Sequence, residues 1–312
     1  MSTLITSSKN TFQQERRPVG RPKSSHNVKK TNKRLGIVHE PKYNDNVIEL
    51  CYDVPINFKK IFNLFKLMIV REIKIEFCPH EVKISGIGHL QKNFINLTID
   101  GNKLTQYFCK HNIVIVVDLK NIDKVIQKID KSYDSIYIIA KSDSYRKNIN
   151  IVLNDEKQGT REYHTISLIE EITTDIDDIF NELNFHSYPL TFTLPSKYFK
   201  KIINDISKFN NEFTIERKKG IILSFPYDTN SKNVDVNHIF LNEKIFKIKS
   251  TLSEDDLLST TVNIEYIHSL ATSLISDAVE VFVDKEKMMV FRCVIDDGTF
   301  ELLICVDIIN YR

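Results

Sequence analysis

The chain has no run of 18 apolar residues, which excludes a helical membrane span. It also lacks the charged-then-apolar opening of a secretory signal, because Leu4 and Ile5 are followed by polar residues; an intracellular protein is expected. The five cysteines, Cys51, Cys78, Cys109, Cys293 and Cys305, are scattered and never spaced C-x-x-C. Neither a disulfide framework nor a zinc knuckle follows from that spacing, and the five read as reduced core residues. Phosphate loops and H-E-x-x-H pairs are missing too, and Gly86 and Gly88 form only an isolated G-x-G. The stretch "EFTIERK" at 212–218 and the pairs Asp177/Asp178, Asp255/Asp256 and Asp296/Asp297 read as solvated charge or turns. No metal, cofactor or catalytic residue is therefore expected, and the sequence reads as a non-enzyme.

What is present divides by charge. Residues 1–42 hold ten Lys and Arg against Glu15 and Glu40, a net +8, which leaves −6 for the remainder. That segment is rich in Ser, Thr, Asn and Gln and has no helical or strand period, so it cannot bury enough apolar surface to offset the entropy of ordering. A disordered basic arm is expected. Within it "RPVGRPK" places Arg17, Arg21 and Lys23 around a Gly-Arg-Pro core that resembles an AT-hook, the extended segment that lies in narrow A·T minor grooves. A generic basic tail or nuclear-import patch fits the same residues, and both readings point toward nucleic acid.

From Tyr43 onward the text is regular and repeats. Four helical stretches stand among period-two strands. The first, Ile56 to Ile69, turns Phe58, Ile61, Phe62, Phe65 and Met68 inward and carries Lys59, Lys60 and Lys66. The second, "LKNIDKVIQKIDK" from Leu119 to Lys131, buries Ile122, Val125, Ile126 and Ile129 beneath Lys120, Lys124, Lys128 and Lys131. The third, Ser196 to Phe209, buries Phe199, Ile202, Ile203, Ile206 and Phe209 beneath Lys197, Lys200, Lys201 and Lys208. The fourth, Asn263 to Ser276, buries Ile264, Ile267, Leu270 and Leu274 and offers Glu265, His268 and Thr272 in place of lysine.

Between the helices, "EIKIEF", "SIYIIA", "EFTIER" and "AVEVFV" alternate as half-buried antiparallel strands, and Asp297-Gly298 supplies a hairpin turn. One unit of strand, helix and three strands thus occurs four times. An α+β architecture follows, with a basic arm over 1–42, one domain over 43–169, an acidic connector over 170–187 and a second, similar domain over 188–312. A charged helix face is usually only solvated, yet three of four repeated helices sharing lysine favours a phosphate-facing surface.

Three stretches carry a family resemblance: "YDVPINFKKIFNLF" at Tyr52 to Phe65, "NLTIDGNKLTQYF" at Asn96 to Phe108, and the last helix "NIEYIHSLATSLISD". With the basic arm and its "GRPK", the chain resembles a DNA sliding clamp of the proliferating cell nuclear antigen type, in particular the clamp-like proteins of asfarvirus-like large DNA viruses. The resemblance implies the DNA-clamp fold and a homotrimeric ring around double-stranded DNA, helices lining the hole and sheets forming the outer wall. It implies a processivity factor that tethers DNA polymerase and other replication and repair proteins, with no membrane partner; a viral origin would place it in the host cytoplasm, or the nucleus. Subunits would join through edge strands at Arg161 to Ile169 and Val236 to Glu243. Carried over by position, the partner pocket would involve His89 and Leu90, Ile176, Ile179 and Phe180 in the connector, and Leu303, Cys305 and Val306 near the C-terminus. The loop "GIGHLQ" and the proline-free tail "DIINYR" depart from the cellular pattern, so partner motifs are expected to differ. A metal-dependent nuclease or repair enzyme, and a static DNA-binding protein held by the arm, are the competing readings.

Overall fold

A computed structural model describes residues 45–88, 92–169, 180, 183–217, 221–227, 235–241, 246–253 and 256–309. The first half of the repeat runs β1 (Asn46–Tyr52), α1 (Pro55–Leu67), β2 (Glu72–Phe77), β3 (Glu81–Ile87), β4 (Asn93–Asp100), β5 (Gln106–Cys109), β6 (Ile113–Asp118), α2 (Leu119–Ile126), β7 (Ser135–Lys141), β8 (Asn148–Asp155) and β9 (Thr160–Ser167). The second repeats the order with β10 (Leu190–Pro195), α3 (Ser196–Ile206), β11 (Glu212–Arg217), β12 (Ile221–Tyr227), β13 (Asp235–Leu241), β14 (Lys247–Ser250), β15 (Leu258–Asn263), α4 (Glu265–Ser273), β16 (Ala278–Val283), β17 (Met289–Ile295) and β18 (Phe300–Val306). A two-residue β19 (Ile308–Ile309) follows. The repeat is visible even in the text, since Phe-Lys-Lys-Ile occurs at 58–61 in α1 and at 199–202 in α3.

Three antiparallel sheets result. One has the order β5-β1-β7-β8-β9, another β13-β12-β11-β15-β19, and a nine-stranded sheet, β14-β10-β16-β17-β18-β4-β3-β2-β6, crosses from the second half of the repeat to the first. The crossing is the β18–β4 ladder, paired from Phe300–Ile99 to Val306–Asn93. Because strand side chains alternate, β18 sends Phe300, Leu302 and Ile304 into the main core and Leu303 and Cys305 to the opposite face. Val306 falls on the core side by the same parity.

The helices pack as a row, α2 on α1, α1 on α4 and α4 on α3. Pro55 begins α1, where its missing N–H costs nothing. At the other end Val70 N–H donates to Phe65 C=O and Ile69 N–H to Lys66 C=O, a Schellman closure that holds Ile69 at φ 57°. Asp118 caps α2 by accepting from Lys120 N–H. Two helices stop sooner than the periodicity suggests. With α3 ending at Ile206, Phe209 is 47% exposed rather than buried, and Leu274, expected in the core, is left-handed at the end of α4 and 39% exposed. Ile129 is fully buried although α2 has already ended.

Candidate nucleic-acid and partner interfaces

The exposed side of the helix row carries two kinds of lysine. Lys60, Lys120, Lys124, Lys131, Lys197 and Lys201 are exposed, and their ammonium groups have no ion-pair partner among the described residues. The others are engaged by neighbouring elements. Lys59 Nζ donates to the carbonyls of Gln127 and Ile129, both at 2.8 Å, and so satisfies the free C-terminal end of α2. Lys66 pairs with Asp123 at 2.8 Å, Lys128 with Glu162 at 3.2 Å and Lys208 with Asp205 at 2.9 Å. Lys200 reaches the Thr272 carbonyl at 3.5 Å.

Electrostatics follow these contacts. Partial burial pushes Asp123 upward, but the hydrogen bonds from Lys66 and Gln127 outweigh it, and the carboxyl sits below its ordinary range. Glu162 is lowered by hydrogen bonds from Tyr133 and Lys128, while the Tyr133 phenol is pushed up to about 12, chiefly by its hydrogen bond to Glu162. The helix row therefore combines a scaffold of paired lysines with a set of free cations, spread over α1, α2 and α3, that can meet phosphates without reading sequence. Arg17, Arg21 and Lys23 lie outside the described residues.

A second site lies on the opposite side of the nine-stranded sheet. Thr191, Phe282, Val290, Cys305 and Phe94 stand directly opposite one another on successive strands. Over this row lie Phe180, Leu183, Phe185 and Tyr188, from the end of the connector, forming an apolar cluster separate from the main core. Phe185 and Tyr188 place their rings 4.8 Å and 5.8 Å from that of Phe282. Tyr188 donates to the Met288 carbonyl at 3.0 Å, and burial raises its phenol well above the usual range. Of the expected pocket residues, Phe180, Leu303 and Cys305 meet in this cluster, whereas Val306 turns into the main core and cannot line the same surface. His89, Leu90, Ile176 and Ile179 lie outside the described residues. Phe94, Tyr188, Phe282 and Val290 join them in the cluster and were not among the expected residues; the strand alternation that turns Leu303 and Cys305 to this face was the available signal.

A third feature lies at the sheet ends. Among the described residues, strand β9 is a terminal strand of one five-stranded sheet and β13 of the other. In the internal repeat β9 corresponds to β18 and β13 to β4, the two strands that pair across the domain boundary.

Comparison with known proteins now decides the fold. Residues 48–178 match the family described as "Proliferating cell nuclear antigen, N-terminal domain". The proliferating cell nuclear antigen of Entamoeba histolytica superposes with a TM-score of 0.68 at 12% identity, covering 85% of this chain and all of that one. This is a DNA-clamp fold of the proliferating cell nuclear antigen type. Among relatives with clamp or viral names, the uncharacterized protein E301R of African swine fever virus is 24% identical over 284 residues, covering 90% of this chain and 94% of its own. The probable DNA polymerase sliding clamp 1 of Paramecium bursaria Chlorella virus 1 is 23% identical, covering 75% of this chain and 86% of its own. Proliferating cell nuclear antigen of Saccharomyces cerevisiae is 21% identical, covering 83% and 97%.

Proposed function

We propose that the chain is a sliding clamp and processivity factor without enzymatic activity of its own. Three copies close head to tail around duplex DNA, with the helix row inward and the connector-covered sheet outward. The observation that carries this reading is the pair of terminal strands, β9 and β13, whose counterparts β18 and β4 already pair inside the chain. Joining β9 of one copy to β13 of the next would repeat between subunits the β18–β4 join found within one, and a head-to-tail join whose rotation closes gives a ring. The free lysines then face the hole, where a flexible ammonium gives attraction without register, as sliding requires. The connector cluster supports a docking site for partner polymerases and repair proteins, with Phe180, Leu303 and Cys305 in it. The viral relatives support a protein that works inside an infected cell.

Retention on DNA tests the reading. A clamp held topologically stays on a closed circular duplex through a high-salt wash and is lost once the circle is cut, whereas a static binder leaves both alike.

A further inference from the structure

We propose that the end of the sheet β5-β1-β7-β8-β9 formed by the β5–β6 and β7–β8 turns binds single-stranded nucleic acid, with His111 and Arg146 meeting bases and Lys110, Tyr145 and Lys147 meeting phosphates. Neither turn belongs to the helix row, and the inference stands whether or not the chain forms a ring. Strand β1 lies between β5 and β7 and runs antiparallel to both, so both strands finish beside its first residues. Lys110 N–H donates to the Val47 carbonyl at 2.9 Å and Ser142 N–H to the Asp45 carbonyl at 2.8 Å, which fixes the two turns at one end of the sheet. Across the gap between them the His111 and Tyr145 rings meet edge-on, with centroids 6.0 Å apart.

Charge supplies the first part of the argument. This end carries Lys110, Lys141, Arg146 and Lys147 against Asp45 and Asp143. Lys141 pairs with Asp45 at 3.5 Å. Lys110, Arg146 and Lys147 are exposed and have no ion-pair partner among the described residues. On a chain whose remainder after residue 42 sums to −6, three uncompensated cations beside one carboxylate favour a polyanion.

Aromatic groups interleaved with these cations, as in "KSDSYRK" at 141–147, narrow the class. The turn is closed by its own backbone, since Tyr145 N–H donates to the Lys141 carbonyl at 2.8 Å and Lys147 N–H to the Ser144 carbonyl at 2.8 Å. Tyr145 packs partly against the main core, so its ring is held in place. The Arg146 guanidinium lies 5.7 Å from that ring's centre, and its Nε donates to Tyr145 Oη at 3.2 Å. Because the phenol oxygen already accepts there, its own proton is left to donate to a phosphate oxygen. The exposed His111 ring and the flat guanidinium then offer planar faces for stacking. An unpaired base can use such faces, whereas a base inside a duplex has its own faces covered by its neighbours.

Ultraviolet crosslinking of a short oligo(dT) to the full chain, with the joined residues located by peptide mass spectrometry, separates this site from the basic arm and the helix lysines. Crosslinks at His111 or Tyr145 are expected. Crosslinks confined to residues 1–42 or to the helices overturn the proposal, as does their loss in millimolar inorganic phosphate, which would make the site one for any small oxyanion. Affinity gives a second readout. His111→Ala with Arg146→Ala, both on exposed side chains, should weaken oligo(dT) binding about tenfold, the scale of a lost stacking contact, and duplex binding far less. Lys110→Ala with Lys147→Ala should flatten the single-strand salt slope by up to about 0.7 for each phosphate released. Unchanged oligo(dT) affinity in the first variant, or equal losses for single strand and duplex, overturns the proposal.

Discussion

Tyr52 Oη donates to Asp296 Oδ2 at 2.5 Å across 244 residues, tying the end of β1 to the β17–β18 turn. The turn is an unusual one: Asp296, Asp297 and Gly298 are successively left-handed, at φ 53°, 50° and 84°. Asp is among the few side chains that tolerate that region, and Gly meets it freely. Lys103 Nζ donates to the Asp297 carbonyl at 2.7 Å, and the Tyr52 ring meets Phe300 edge-on with centroids 5.0 Å apart. Burial, then the hydrogen bond to Asp296, pushes the Tyr52 phenol well above its ordinary value, so it stays a donor throughout the physiological range.

Tyr52→Phe keeps the ring and removes the donor, and should cost about 1.5–3 kcal/mol, the usual worth of a hydrogen bond to a charged group. Asp296→Asn tolerates the same backbone and should cost less. Denaturant unfolding of the two single variants and the double checks the claim. Strong non-additivity is expected, and purely additive losses would show that the two groups do not act as a pair.

Thiol chemistry should rank the cysteines by position. Burial pushes Cys293 and Cys305 up to about 12, and Cys109 to about 11. Cys78 is the one cysteine not fully buried. In the native protein a thiol reagent at neutral pH should therefore modify Cys78 first and leave Cys293 and Cys305 until unfolding, because the thiolate is the reactive form. Since Cys305 lies under the connector aromatics, early labelling of Cys305 in a natively folded chain would mean that the connector does not cover that face.

The two kinds of lysine should separate by substitution. Lys60, Lys120 and Lys124 changed together to alanine should preserve the fold, since alanine is the best helix former and their side chains are exposed. DNA affinity should fall similarly for every sequence, and the salt slope should flatten by up to about 0.9 for each phosphate that is no longer neutralised. Lys59→Ala should instead destabilise the α1–α2 pair, because it removes the donor to two carbonyls at the end of α2. A triple variant with unaltered DNA binding would place the helix row away from DNA.

The lysine faces show how far the sequence could be read. Helix starts at Pro55, Leu119 and Ser196, and strands such as Glu72–Phe77 and Glu212–Arg217, follow from local periodicity and punctuation, which act within a few residues. Which lysines are free does not follow, because Asp123, Glu162 and the carbonyls of Gln127 and Ile129 reach Lys66, Lys128 and Lys59 from other elements. Phe209 and Leu274 were misplaced for a related reason. The helical period assigns a face only while the helix lasts, and α3 and α4 end before these residues. Val306 shows the strand version, a one-residue step that turns a side chain from the connector face to the core. The connector-covered cluster draws on Phe94, Tyr188, Phe282 and Val290 from four separate places in the chain, brought together only by the strand order of the nine-stranded sheet.

Solution mass separates a ring from a single chain. A particle of three chains, each 36.4 kDa, is expected by light scattering or sedimentation. Ile239→Pro in β13, which removes a ladder donor from a proposed seam strand, should reduce it to single folded chains. A single-chain mass for the unmodified protein, or an intact three-chain particle in the folded Ile239→Pro variant, would contradict closure through β9 and β13.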